Sequence, residues 1–351
     1  MTPPHLRVAI DARMRRMSGI GVYIRGLVSA LPVAGVEPVA LADLTASVYS
    51  LREQIQVPRA FARLAPSARL LHVPHYNAPL RFAGPLVVTV HDLIHIKLPD
   101  LARRSGARLY AAFMIPRVAR RADAIVCVSE NTRRDLLELV PEVASKVRVV
   151  PNGCDLKPSP PPDRDAVLAR IGLSPGYVLC VGNVRAHKNV DRLLRAHAAL
   201  PEPRPPLVLA GDDQMPAGWE GRTRPGVRLL GRVAQADLPA LYSACGVFAF
   251  PSLYEGFGLP PLEAMACGTP TIVADGASLP EVVGDGALTF PGADNAALAQ
   301  CLGEVLTDPV LAADLARRGV VRASEFSWAR TAEETVAVYR RAIAEVGRPR
   351  A

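Results

Sequence analysis

The sequence predicts an α/β protein made of two doubly wound domains, each with a parallel sheet, facing each other across a cleft. Three observations carry this. Short, almost wholly apolar runs alternate with longer amphipathic segments, the pattern of parallel strands covered on both faces. The pattern runs once to about residue 150 and again from residue 177. Between the halves, residues 157–163 read Lys-Pro-Ser-Pro-Pro-Pro-Asp. That density of proline suits neither a helix nor a central strand, so the stretch is a linker or hinge.

Each element follows from local composition. In the first half, apolar runs at 6–10, 69–73, 86–90 and 124–128 read as strands, with 147–150 as a further candidate. The second half repeats the pattern at 177–181, 207–210, 227–230, 247–250 and 270–274. The expected domains are 1–157 and 158–328, with a C-terminal block, 329–351, whose helix (329–346) returns to the first domain. A chain of 351 residues, 50% of them apolar, is long enough for two such cores. Open α/β sheets bind ligands at the C-terminal ends of their strands, so the chemistry is expected there.

Composition narrows the classes of function. No apolar run reaches the roughly 18 to 20 residues of a membrane span, and the first ten residues do not read as a signal peptide. The six cysteines are scattered without a CxxC pair, which fits free thiols in a reducing compartment better than disulfides or zinc. The net charge of +8 is uneven: residues 1–157 hold 22 Lys+Arg and 12 Asp+Glu, the remainder 19 and 21. A basic first half is either a solvated arginine-rich surface or a field for an anionic partner: a membrane surface, a phospholipid-linked acceptor or nucleic acid.

The most informative stretch follows the strand ending at Phe250. Residues 251–270 contain Tyr254-Glu255-Gly256-Phe257-Gly258-Leu259-Pro260-Pro261-Leu262-Glu263. Gly256 and Gly258 let the backbone turn and come close to a ligand, and Pro260 and Pro261 suit the first turn of a helix. Strand, glycine loop and helix start together make an anion site. Glu255 and Glu263 bracket it, the latter expected in the first helical turn, and a carboxylate can accept from both hydroxyls of a sugar diol. The alternatives are a solvated loop acid and an acid complementing the helix dipole. A second loop, Gly182-Asn183-Val184-Arg185-Ala186-His187-Lys188-Asn189, sets two cations before the next helix. Such a pair can hold a diphosphate and offset the charge it gains on leaving.

With these residues in view, the chain resembles the retaining glycosyltransferase family four. The resemblance lies in the glutamates at 255 and 263, the loop 182–189, the segment Gly276-Ala277-Ser278-Leu279-Pro280-Glu281, and, in the first half, Ile10-Asp11-Ala12-Arg13, Ser18-Gly19-Ile20-Gly21-Val22-Tyr23, Thr89-Val90-His91-Asp92, Val128-Ser129-Glu130-Asn131-Thr132 and Val150-Pro151-Asn152-Gly153. Within the family it is most similar to bacterial mannosyltransferases of O-antigen and capsule assembly, which typically use GDP-mannose. The resemblance implies a GT-B type fold of two Rossmann-like domains, a nucleotide-binding second domain, an acceptor-side first domain, and transfer of a hexose with retention. UDP-glucose, UDP-galactose or UDP-N-acetylglucosamine are the alternative donors.

The resemblance also implies roles. Glu255 and His91 contact the donor sugar, Glu263 the ribose and Lys188 the diphosphate. Gly256, Phe257, Gly258 and Leu259 complete the donor site, and the loop of Gly19 and Gly21 lies near the phosphates and acceptor. Asn183 stands where many members have arginine, and Arg185 is the candidate to supply that charge. The expected partners are a nucleotide-sugar, a glycan or lipid-linked acceptor and an anionic membrane surface met by the basic half, including the pairs Arg103-Arg104, Arg120-Arg121 and Arg133-Arg134. Nucleic acid, cofactor and metal are not expected. The expected location is the cytoplasm, with peripheral attachment to the inner face of the plasma membrane.

Weaker signals are set aside. His91 with His95, and His72 with His75, have spacings compatible with metal, but no third ligand accompanies them. Asp163-Arg164-Asp165 is a formal DxD, better read as a helix cap after the linker. Gly19-Ile20-Gly21 with Gly26 has the wrong spacing for a dinucleotide fingerprint. A nicotinamide oxidoreductase and a non-catalytic sugar-nucleotide sensor share the α/β pattern, but the first does not require the glutamate pair and the second could dispense with Glu255 and Lys188.

Overall fold

The computed structural model describes residues 6–42, 44–46, 48–98, 105–211 and 226–346. The chain divides into two compact units, one of Met1–Gly153 with Phe326–Ala351, the other Cys154–Glu325. The boundary falls just ahead of the proline-rich stretch. Arg103 and Arg104 lie outside the described residues.

The first unit is built from β1 (Leu6–Asp11), α1 (Ile20–Ala30), β2 (Val36–Leu41), α2 (Glu53–Leu64), β3 (Leu71–Val73), β4 (Leu86–Val90), α3 (Ile94–Lys97), α4 (Ser105–Arg121), β5 (Ala124–Cys127), α5 (Glu130–Leu139) and β6 (Val147–Val149). Its sheet runs β2-β1-β3-β4-β5-β6 with every pair parallel. The second unit holds α6 (Arg164–Ile171), β7 (Val178–Gly182), α7 (Val190–Ala198), β8 (Leu207–Gly211), β9 (Val227–Gly231), α8 (Leu238–Ala244), β10 (Val247–Phe250), α9 (Leu259–Ala266), β11 (Thr271–Ala274), α10 (Leu279–Val283), β12 (Leu288–Phe290), α11 (Asn295–Thr307) and α12 (Pro309–Ala323). Its sheet runs β12-β11-β10-β7-β8-β9, again all parallel. The last helix, α13 (Trp328–Val346), belongs to the first unit.

Both sheets reverse direction of growth once, between β1 and β3 in the first and between β7 and β10 in the second. Those are the switch points where loops part and leave a crevice. The expected strands are present to within a residue or two. Two strands appear that the apolar runs did not announce, β2 and β12, and both sit at sheet edges. β2 carries Glu37 and Pro38, residues an edge strand accepts and a central one does not. The cap expected at Asp163 is corrected: Asp163 occupies the position before α6, but its side chain makes no capping hydrogen bond.

Alternation along the first sheet explains its two faces. Val8, Ile10, Val87 and Val126 turn towards α1 and α13, while Ala9, Val88, Val90 and Ile125 turn towards α2, α4 and α5. Burial of each valine or isoleucine among them stabilises by about 1.5 to 3 kcal/mol. A polar thread crosses the α13 face. The two ring nitrogens of buried His72 lie 2.7 Å from the Tyr339 hydroxyl and 2.8 Å from Thr89 Oγ1, and the Tyr23 hydroxyl lies 3.0 Å from the same Thr89 oxygen. Burial pushes the His72 pKa down to about 3, so the ring is neutral and bridges hydroxyls without a buried charge.

Gly26 is where α1 and α13 meet. A methyl group there would overlap the Trp328 ring. Gly26→Ala is therefore expected to destabilise the first unit by about 1 to 3 kcal/mol through overpacking. A thermal midpoint unchanged by the substitution would show that α13 does not dock this way.

Candidate active site

The second unit's site starts from its strand ends. β7 ends at Gly182 and β10 at Phe250, neighbours at the switch point. The loop after β7 closes in a single 3-10 turn over Ala186–Lys188, and Asn189 then takes a left-handed conformation (φ 55°) to start α7. Its side-chain amide donates to the Gly292 carbonyl at 3.1 Å, which fixes the turn. The loop after β10 is stitched to it. The His187 carbonyl accepts from the Leu253 N–H at 2.8 Å and the Ser252 hydroxyl at 3.3 Å. Ser278 Oγ lies 2.9 Å from the carbonyls of both Glu255 and Phe257 and ties the glycine loop to the start of α10.

These ties bring Lys188 onto Glu255. Nζ donates to Oε1 at 2.6 Å, and the two side chains are only 16% and 15% exposed. The same ammonium lies 5.1 Å from the centre of the Phe250 ring, within cation–π range. Gly258, with φ 107°, precedes α9 in a conformation that a side chain would strain, and a Cβ there would come within 2.8 Å of Leu279. Pro260 and Pro261 occupy the first turn of α9 after Leu259. Neither proline has an N–H, and the Leu262 N–H is bonded to the Gly258 carbonyl, so of the first helical residues only Leu259 can offer one to an anion.

Glu263 departs from expectation. It lies past the first turn of α9, which holds no acid, and it is buried. Its Oε2 accepts from the Tyr242 hydroxyl at 2.9 Å. Burial raises its pKa to about 7 despite hydrogen bonds from Tyr242 and Gln235 that favour the charged form. Dipole compensation is therefore not its role. Of the rest of the predicted set, Asn183 has a buried Oδ1 without a hydrogen-bond partner, and Arg185 is exposed beside it. Gly256 and Phe257 are buried in the loop. Asn183, Arg185, Lys188, Glu255, Gly256, Phe257, Gly258, Leu259 and Glu263 thus gather on two loops and one helix of the second unit.

The remaining predicted residues belong to the first unit. Gly19 (φ 65°) precedes α1, and Gly21 passes so close to the carbonyls of Met14 and Arg15 that a Cβ would lie 2.8 and 2.9 Å from them. His91 follows β4 and packs edge-on against Tyr23 of α1, ring centres 4.8 Å apart. Its Nε2 donates to the Pro74 carbonyl at 3.0 Å, which leaves Nδ1 as the acceptor. Burial lowers its pKa to about 4, so it is neutral near pH 7. Ser129 caps α5 by accepting the Thr132 N–H at 3.0 Å, and the Thr132 hydroxyl donates to the His91 carbonyl at 3.2 Å.

Sequence reasoning missed Tyr242, Gln235, Ser252, Tyr23 and Thr132, which position the named residues from elsewhere in the chain. Tyr23, Thr132, Ser252 and Ser278 lay inside segments already singled out, whereas Gln235 and Tyr242 did not. Of the arginine pairs, Arg121 is spent on the Phe82 and Gly84 carbonyls and Asp123, Arg120 on Glu142, Arg133 on Glu130 and Arg134 on Asn131. On α4, Leu109 and Phe113 are 72% and 51% exposed, with Arg117 stacked over the Phe113 ring at 3.6 Å. All six cysteines are free. Among the described residues no three His, Cys, Asp or Glu side chains gather as a metal site, and no single helix is long and apolar enough to cross a membrane.

Known proteins fit this arrangement. Residues 17–158 match Glycosyltransferase Family 4, and residues 169–321 match Glycosyl transferases group 1. The chain is 34% identical to the O-antigen chain mannosyltransferase B of Escherichia coli, over 77% of this chain and 74% of the relative. It is also 34% identical to the D-inositol 3-phosphate glycosyltransferase of Salinispora arenicola, over 93% and 80%. In fold it matches the sucrose-phosphate synthase of Thermosynechococcus elongatus (TM-score 0.76, 22% identity, 97% and 99% covered) and Anabaena HepE in complex with UDP-glucose (TM-score 0.75, 19% identity, 96% and 100% covered).

The raised pKa of Glu263 has a measurable consequence. The folded state holds a proton there that the unfolded chain, with an ordinary value of 4.5, releases earlier. The associated stability is complete below pH 4.5, declines as pH rises to about 7, and is then gone, a change of about 3 kcal/mol at most. Glu263→Gln should flatten this part of the stability–pH curve. An identical curve for the variant and the parent would show that Glu263 titrates normally.

Proposed function

The chain belongs to glycosyltransferase family 4, and from that we propose that it transfers mannose from GDP-mannose, with retention and without a metal, to a glycan or lipid-linked acceptor of cell-surface polysaccharide synthesis. The observation that carries the reading is the Lys188–Glu255 pair at the second switch point, beside the start of α9. A bound donor replaces their mutual contact. Lys188 moves onto the diphosphate, Glu255 onto sugar hydroxyls, and Glu263 accepts from the ribose diol. The exposed guanidinium of Arg185 and the amide of Asn183 add donors to the phosphates. On the first unit, neutral His91 offers Nδ1 to a sugar hydroxyl near the loop of Gly19 and Gly21.

The bond from the anomeric carbon to the diphosphate oxygen lengthens, and the electron pair leaves with that oxygen. The sugar becomes oxocarbenium-like. The acceptor oxygen attacks from the face the diphosphate is leaving, and its proton passes to the departing phosphate. Fixed positive groups lower this barrier because they are already oriented where charge develops. The E. coli relative's name supports mannose. A UDP-sugar donor is the second reading, favoured by the fold shared with a protein bound to UDP-glucose.

Lys188→Ala should lower turnover by about 100- to 1000-fold, while EDTA leaves the parent rate unchanged. Turnover that survives the substitution, or that requires Mg²⁺, rejects the scheme. A donor panel read by nucleotide release decides between GDP-mannose and the UDP-sugars. We further propose that the basic first unit meets an anionic membrane through α4, where Leu109 and Phe113 stand beside Arg108 and Arg117. Sedimentation with phosphatidylglycerol vesicles, lost in Phe113→Ser and absent with phosphatidylcholine alone, is the expected result.

A further inference from the structure

The first sheet has a switch point of its own, between β1 and β3, and it carries an unusual structure. Asp11, the last residue of β1, is clasped by Arg13 through Nε–Oδ1 at 2.8 Å and Nη2–Oδ2 at 2.6 Å. The same Nη2 reaches Glu53 Oε2 at 2.9 Å. His75, after β3, brings Nε2 to 3.4 Å from Asp11 Oδ2. All four side chains are buried. The ion contacts hold the Asp11 carboxyl well below the ordinary carboxylate range against its burial, whereas burial raises Glu53. Two acids on one guanidinium, out of water, are a costly way to stabilise a fold.

This network restrains an exposed aromatic residue. The second Glu53 oxygen accepts the backbone N–H of Tyr49 at 3.1 Å, and Tyr49 sits at φ 68°. A bulky residue rarely takes this left-handed conformation, which costs on the order of 1 to 3 kcal/mol and persists where the surroundings enforce it. Yet Tyr49 is 43% exposed. Its ring lies 5.7 Å from Tyr76, 6.0 Å from Tyr110 and 6.2 Å from His75, centre to centre. The Tyr110 hydroxyl donates to Asn77 Oδ1, and Asn77 Nδ2 is buried with no hydrogen-bond partner. The Asp92 carboxylate, after β4, lies near enough to Tyr49 and Tyr76 to disfavour ionisation of both hydroxyls, secondary to their burial.

We propose that Tyr49, buttressed by the tilted ring of Tyr76 and the perpendicular ring of Tyr110, receives the acceptor sugar, a pyranose ring stacked on Tyr49 with its hydroxyl rim met by Asn77 Nδ2 and Asp92. A pyranose has an apolar face of C–H groups and a rim of hydroxyls, so it needs a flat aromatic surface flanked by a donor and an acceptor. All three are present, at the strand ends where open sheets take ligands. The buried ions fix the angle at which Tyr49 stands. This inference rests on the reading that the chain has a sugar acceptor.

The test uses the full chain, with methyl α-D-mannopyranoside and methyl β-D-glucopyranoside as probes and saturation-transfer NMR as readout. The parent should bind at least one of them. Tyr49→Ala should weaken that binding at least tenfold, and Tyr49→Phe should keep it. Tyr49→Gly, which suits the left-handed backbone, should lose the glycoside as Tyr49→Ala does. Thermal shifts with GDP and UDP should persist in all three variants. The proposal is overturned if neither glycoside binds the parent, if Tyr49→Ala binds as the parent does, or if Tyr49→Ala loses the nucleotides instead. Failure of the donor reading shows separately, as turnover insensitive to Lys188→Ala.

Discussion

The second unit is organised around one contact, the Lys188 ammonium on the Glu255 carboxylate at 2.6 Å. Two opposite charges that are nearly out of water must find each other or another partner, because either one alone would bear an uncompensated desolvation cost. Everything nearby serves that meeting. Parallel strands β7 and β10 end side by side, the His187 carbonyl joins their loops, Ser278 clasps the glycine turn, and Phe250 presents its ring beneath the ammonium. A diphosphate carries more negative charge than one carboxylate, and sugar hydroxyls satisfy a carboxylate well. A nucleotide-sugar can therefore part the pair without stranding either member.

Much of this was legible in the chain itself. Central strands are buried on both faces, so they are written as continuous apolar runs, and those at 86–90 and 247–250 coincide with β4 and β10. Edge strands have only one buried flank, and β2, with Glu37 and Pro38, and the three-residue β12 do not stand out. The glycine loop and the cations announced themselves because short-range spacing encodes a strand–loop–helix anion site. What spacing does not encode is contact between distant segments. Tyr242 reaches Glu263 from α8, and neither residue's environment can be read from its neighbours in sequence. The same blindness led to Glu263 being placed in the first turn of α9, when it lies deeper, buried and with a raised pKa.

The two units use their switch points differently. In the second, Lys188 and Glu255 neutralise each other in a largely buried contact that a ligand bearing charge can replace. In the first, the charged groups Asp11, Arg13 and Glu53 are buried, and the Tyr49 ring stands exposed near Tyr76 and Tyr110. One fold thus gives two openings of the same geometry different characters, a charged pair at one and an exposed aromatic ring beside buried ions at the other.

The docking of α13 carries a consequence for how the chain is made. The second unit is contiguous in sequence, Cys154–Glu325, whereas the first is completed only by residues from Phe326 onward. During synthesis the ribosome delivers β1 to β6 early, yet Trp328, Ala332, Val336 and Tyr339, which cover one face of that sheet, emerge only after the whole second unit. The unit begun first is therefore finished second. Until then His72 lacks its Tyr339 partner and a broad apolar surface stands open, the kind of nascent surface that chaperones engage.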